Sequence, residues 1–81
     1  MPRVRLWGSL REAAGGRDAV DVDADSIGAM LRRLEAEHPG LRPQLKRGVA
    51  VSVDGAIFRD NWLAPVAPDS EVFLLPKLAG G

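Results

Sequence analysis

The chain ends in Gly80-Gly81, preceded by Lys77-Leu78-Ala79. Residues without a Cβ fit a channel too narrow for side chains and let a backbone approach a nucleotide closely. An unperturbed α-carboxyl titrates at about 3.3–3.7, so at neutral pH it is an anion and a poor electrophile. A partner must therefore activate it, most simply as an acyl-adenylate. The activated carbonyl can then accept sulfur to become a thiocarboxylate, or an amine to become an amide. The sequence contains no Cys, so no internal thiol can attack an activated terminus. Residues 76–81 extend at most ~20 Å at ~3.3 Å each, enough to carry the carboxylate deep into another protein.

Other residues that could do chemistry have plainer readings. His38 is the only histidine, and it precedes Pro39 at an expected helix end, where a cation favours the helix dipole. Catalytic triads need a His beside a nucleophile, and zinc sites need several His or Cys. A self-contained active site is therefore not expected. Asp21, Asp23 and Asp25 alternate along a strand, but the glycine-hinged loop and bidentate Glu of a calcium site are missing. They read as a solvated face, with no metal. Gly15-Gly16 lacks a following Lys-Ser/Thr and reads as a turn, not a phosphate loop. Arg42, Lys46 and Arg47 form a small basic cluster, solvated or set against an acidic partner. Trp62 is core filler or part of a docking surface. Phe73 and Leu75 alternate with Val72 and Leu74, so one pair faces away from the core, to be hidden by local cover or by a partner. Phe73, Leu75, Trp62 and Lys77 are the candidate docking residues.

Composition narrows the class. With 81 residues the chain is one domain, burying a little over ~60% of its unfolded surface. Its 46% apolar and 27% charged residues exclude disorder and low complexity. Eleven basic residues balance eleven acidic ones, which argues against a protein built to neutralise nucleic-acid phosphates. No apolar run approaches ~18 residues, so no membrane helix is expected. The alternating N-terminus is not that of a signal peptide. Together with the missing Cys, this predicts a cytoplasmic protein.

The elements that must position the C-terminus follow from periodicity. Residues 3–7 alternate, with Val4 and Leu6 on one face and Arg3, Arg5 and Trp7 on the other, predicting a strand. Residues 10–14 suit one turn of helix or a tight loop, closed by Gly15-Gly16. Residues 18–23 predict a second strand, Val20 and Val22 opposed to the aspartates. Ser26, or Asp25, caps a helix whose apolar stripe is Ile27, Met30, Leu31 and Leu34, stopped by Pro39-Gly40. Residues 41–47 add at most a short helical turn. Residues 49–53 predict a third strand. Asp54-Gly55 is a two-residue hairpin signal, and residues 56–59 return. Residues 60–70 are loop, with Pro65 and Pro68. Residues 71–75 are apolar on both faces, as a central strand is, and Pro76 ends them. One amphipathic helix across one sheet is the simplest architecture.

This order of elements, with Leu10-Arg11-Glu12-Ala13-Ala14-Gly15 after the first strand, the Val53-Asp54-Gly55 hairpin, Asp69-Ser70-Glu71-Val72 leading into Leu75-Pro76, and the final Ala79-Gly80-Gly81, resembles the ubiquitin-like sulfur carriers of the MoaD/ThiS family. The likeness spans essentially the whole chain and is greatest to the small subunits of molybdopterin synthase. It implies an α+β, β-grasp fold: a mixed sheet of four to five strands, one main helix packed across it, and parallel first and last strands side by side. Residues 1–75 would form the domain and residues 76–81 an extended C-terminal tail.

The resemblance further implies that an E1-like enzyme adenylates Gly81 with ATP, no cofactor being bound by the chain itself. A sulfur donor, a sulfurtransferase or cysteine desulfurase, then yields the thiocarboxylate, with Gly80 and Ala79 threading into the partner. The protein would be a cosubstrate and not an enzyme, serving molybdopterin (molybdenum cofactor) biosynthesis first, with the synthase large subunit as a further partner. Thiamin thiazole, cysteine, thiolated tRNA and siderophore synthesis stay open. So do modification of target lysines and a plain binding module with an idle tail. Lys77, where many such small subunits carry a proline or small residue, and Trp62 both depart from the family pattern and leave the pathway open.

Overall fold

Alternation at the start of the chain gives its first strand one face to bury. In the computed structural model, which describes residues 1–76, β1 (Arg3–Leu6) buries Val4 and Leu6 and exposes Arg3 and Arg5. There follow α1 (Ser9–Ala13), β2 (Ala19–Asp21), α2 (Ile27–Glu37), a 3-10 turn (Pro39–Leu41), α3 (Arg42–Arg47), β3 (Val49–Val53), β4 (Ala56–Phe58) and β5 (Glu71–Pro76). The strands make one sheet in the order β2-β1-β5-β3-β4. β1 and β5 run parallel, from Arg3 opposite Glu71 to Leu6 opposite Leu74. The other neighbours are antiparallel. This is the β-grasp arrangement, with its last strand central as the apolar run requires. β5 extends through Pro76, which lies opposite Val49.

α2 is the main helix on the covered face of the sheet. The Ser26 hydroxyl accepts from the Ala29 N–H at 3.2 Å and caps it. The Ile27 and Gly28 N–H groups, free of intrahelical partners, donate to the carbonyls of Ala64 and Trp62 at 3.0 and 2.8 Å. The long loop before β5 is thereby tied to the start of the helix. Ile27, Met30 and Leu34 are fully buried among Val4, Leu6, Val51, Val72 and Leu74. Leu31, expected on the same stripe, is only half-buried. At about 100° per residue it points roughly 70° away from the mean direction of the other three, onto the flank of the helix.

Shorter elements depend on tertiary contacts. α1 is too short to stand alone, but it inserts Leu10 fully into the core. β2 pairs only over Ala19–Asp21, not the whole of residues 18–23. Val22 stays buried and donates its N–H to the Pro2 carbonyl at 3.1 Å, outside the ladder. Residues 42–47 form a true helix, with Pro43 in its first turn. Asp54 and Gly55 have φ of 50° and 89°, as a primed hairpin turn needs. The Asp54 carboxylate also accepts from the Glu71 N–H at 2.8 Å, joining the turn to the start of β5.

Gly40 marks the closest backbone approach. A Cβ there would lie 2.5 Å from the Ala13 carbonyl oxygen, so α1 and the 3-10 turn meet only because that atom is missing. Gly40→Ala is expected to cost about 1–3 kcal/mol in urea denaturation, since backbone has to move. Leu34→Ala is expected to cost about 2–5 kcal/mol by the same measurement, through the cavity it leaves. Leu31→Ala, on the half-exposed flank, is expected to cost less. Equal losses for the two leucines would contradict the orientation of α2.

Candidate functional site

The candidate reactive residue, Gly81, lies outside the described residues, as do Gly80, Ala79 and Lys77. What the structure does place is the strand that carries them. β5 is hydrogen-bonded to β1 on one side and β3 on the other, and Pro76 at its end is still in register with Val49. The Trp7 N–H donates to the Leu74 carbonyl at 3.2 Å, extending the contact with the β1 side beyond the strand itself. The chain therefore continues towards Gly81 from the centre of the sheet, not from a frayed edge.

Side chains on β5 point alternately to the two faces. Val72 and Leu74 enter the core with no exposed surface. Phe73 and Leu75 lie half-buried on the face that α2 does not cover. Register gives them small neighbours on β3, Ser52 beside Phe73 and Ala50 beside Leu75. Ile57 on β4 stands opposite Ser52 and is 57% exposed. Trp7, 54% exposed, tilts against Phe73 with ring centroids 6.2 Å apart and planes at 57°. The face is divided along its length. Arg3, opposite Glu71 and paired with Asp21 at 3.2 Å, marks a charged end, and Arg5, exposed opposite Phe73, brings that charge to the edge of the patch. Trp7, Phe73 and Leu75 make the other end apolar, next to Pro76. An apolar patch with a charged margin is the usual form of a protein-docking surface.

The candidate docking residues are thus only partly brought together. Phe73 and Leu75 share this patch. Trp62 does not: it packs half-buried against the core beside α2, its carbonyl held by the Gly28 N–H. A Cβ at Gly28 would come 3.1 Å from that oxygen, which explains a glycine inside the helix. Trp7 and Ile57 were not singled out from sequence. The signals existed: Trp7 continues the outward period of Arg3 and Arg5, and the Asp54-Gly55 turn sets Ile57 opposite Ser52. His38 caps α2 through its backbone N–H, which donates to the Leu34 carbonyl at 2.8 Å. Among the described residues no three His, Cys, Asp or Glu side chains gather to hold a metal ion. What the arrangement offers chemically is a rigid mount for the C-terminus and an apolar face beside it.

No curated protein matches the chain. Solved structures do. The chain is similar to CysO of Mycobacterium tuberculosis, an antigen, at 25% identity over 96% of this chain and 100% of that one, with a TM-score of 0.81. It is similar to SAMP1 of Haloferax volcanii at 27% identity over 99% and 98% of the two chains, with a TM-score of 0.72. It shares its fold with a chain from the complex of subunits 1 and 2 of the molybdopterin-converting factor of Helicobacter pylori, at 24% identity over 99% and 97%, with a TM-score of 0.69. The ThiS family model matches residues 4–81, from the first core residue of β1 through the terminal glycine pair. On that match and this fold, the chain belongs to the ThiS family of ubiquitin-like sulfur carriers.

Proposed function

We propose that the protein carries sulfur as a thiocarboxylate on Gly81 and delivers it in a biosynthetic pathway, molybdopterin synthesis first. The observation that carries this reading is a terminal Gly80-Gly81 mounted on the central strand of a ThiS-family fold. An E1-like enzyme transfers AMP from ATP to the Gly81 carboxylate, with loss of pyrophosphate. The terminal sulfur of a persulfide on a sulfurtransferase or cysteine desulfurase then attacks the acyl carbonyl and displaces AMP. A thiol cleaves the resulting acyl disulfide, leaving the thiocarboxylate on Gly81 and the donor cysteine in a disulfide. The chain's own contribution is positional. Trp7, Phe73 and Leu75 dock the partner, β5 aims the C-terminus, and Ala79 and Gly80 pass along a narrow channel to the nucleotide. The protein is then a cosubstrate acting in the cytoplasm, where ATP and the donor are found. The Helicobacter pylori complex, in which two molybdopterin-converting subunits associate, supports a large subunit as the acceptor of sulfur.

A second reading, amide formation with target lysines, is supported by the likeness to SAMP1, a small archaeal modifier protein. The two share all chemistry up to the adenylate. Blotting a tagged chain for conjugates of higher mass separates them.

Incubation with an E1-like enzyme, ATP and a sulfur donor is expected to replace one terminal oxygen by sulfur. Intact-mass spectrometry would show the shift and a proteolytic digest would place it on the peptide ending in Gly81; sulfur on any other peptide counts against the proposal. Gly80→Ala is expected to slow ATP–pyrophosphate exchange about tenfold for each 1.4 kcal/mol of misfit in the channel. Gly80→Val should be slower still, and both should melt like wild type. Phe73→Ala, which removes an aromatic anchor from the docking face, should also slow exchange. Equal exchange rates for all these chains would remove the physical basis of the glycine pair and of the docking face.

A further inference from the structure

α2 has a flank that the core covers only in part and that lies away from the open sheet face. Gly28, Leu31, Arg32 and Glu35 recur at i, i+3, i+4 and i+7 and border a cleft of about 360 Å³. Its apolar lining comes from Leu31, from Leu45 of α3, from Val49 of β3 and from Trp62. Val49 belongs to the helix side of the sheet, since its neighbours Ala50 and Ser52 pair with Leu75 and Phe73 on the other. The cleft and the Trp7–Phe73–Leu75 patch therefore lie on opposite sides of the sheet.

The charges of the cleft are one-sided. Arg32, Lys46 and Arg59 line it, all exposed, and none forms an ion pair with another described residue. Among the described residues its one carboxylate, Glu35, is already bound by Arg42 Nε at 3.0 Å. Among the described residues, cations thus surround an apolar surface with no unpaired carboxylate to meet them. The walls are also set in advance. The Gly28 N–H holds the Trp62 carbonyl at 2.8 Å, so the loop bearing Trp62 need not be ordered by whatever binds.

We propose that this cleft docks an acidic segment of a partner protein, one apolar side chain resting against Leu31, Leu45 and Trp62 with flanking carboxylates paired to Arg32, Lys46 and Arg59. A lone phosphate would satisfy the cations but leave the apolar lining uncovered. Carboxylates around a central apolar residue match both. The rim cations speed encounter and select sign, while the apolar lining supplies most of the affinity. This site goes beyond the sulfur-carrier reading and stands whether or not Gly81 is ever activated. It allows one protein on the open sheet face and another on the helix side at the same time. Because Val49 is paired with Pro76, the cleft also borders the strand end from which the C-terminal residues continue.

The test uses the full chain carrying Trp7→Phe, which leaves Trp62 as the only tryptophan. The probe is the peptide acetyl-Glu-Glu-Leu-Phe-Glu-Glu-amide, with its Lys-for-Glu counterpart and inorganic phosphate as parallel arms. The acidic peptide is expected to change Trp62 emission saturably with a Kd below about 1 mM, weakening as salt is raised. Amide shifts in NMR spectra should centre on Gly28, Lys46 and Gly48. Arg32→Glu and Lys46→Glu should each weaken binding several-fold and leave the melting temperature unchanged. Arg47→Glu, on the same helix but outside the cleft, makes an equal change in net charge and should have little effect. No saturation, shifts confined to the open sheet face, or an equal response to the basic peptide or to phosphate would overturn the proposal. So would an equal loss in Arg47→Glu, which would reduce the binding to net charge.

Discussion

Parallel strands cannot be joined by a hairpin, so pairing β1 with β5 turns everything between Trp7 and Ser70 into one long crossover. The rest of the structure follows from that pairing. The crossover must cover one face of the sheet, and α2 is its longest helix. β2 is left outside β1, and the β3–β4 hairpin closes against the far side of β5. The last strand ends up innermost, with ladders on both sides. A protein whose C-terminal residues are to be presented to others gains a fixed origin for them by this route.

Stability and presentation are assigned to different sides of the same strand. Val72 and Leu74 are wholly buried, and each such side chain is worth roughly 1.5–3 kcal/mol on transfer from water. Phe73 and Leu75, one residue out of phase, remain half-buried on the open face. Ion pairs contribute little by comparison. Arg3–Asp21, Arg11–Asp18, Arg33–Glu37 and Arg42–Glu35 all involve side chains at least 42% exposed, where a pair is worth about 0–1 kcal/mol. The fold therefore rests on its apolar core. That leaves surface charge with little part in stability, including the cations of the cleft beside α2, unpaired among the described residues.

Two glycines show how closely the crossover is packed. Gly40 lets the 3-10 turn meet α1, and Gly28 lets the loop before β5 lie against α2. Neither has a positive φ; both are needed for space and not for backbone freedom. The second contact also explains Trp62. Its loop is drawn onto the helix by backbone hydrogen bonds from Ile27 and Gly28, so its ring lies by the helix flank and far from the docking face.

Several features needed no structure. The chemistry proposed for Gly80-Gly81, a pair outside the described residues, came from the sequence alone, through the missing Cβ atoms and the inert carboxylate. The unbroken apolar run at Val72–Leu75 marked a central strand, because only a strand covered on both faces tolerates it. Asp54-Gly55 marked its turn because few other pairs accept two positive φ values, and the stripe of Ile27, Met30 and Leu34 marked the buried face of α2. Periodicity says which residues share a face, however, and not what that face meets. Trp62 and Phe73 look alike in sequence as lone aromatics near the end of the chain. Only the register of β5 and the hydrogen bonds of the preceding loop put one on the open sheet and the other beside a helix. Leu31 read as core because its spacing is right, but the sheet covers only one sector of the helix and Leu31 falls just outside it. The cleft of Arg32, Lys46, Arg59 and Trp62 was invisible for the same reason. Its residues come from segments distant in sequence, and a site made by long-range packing leaves no period to read.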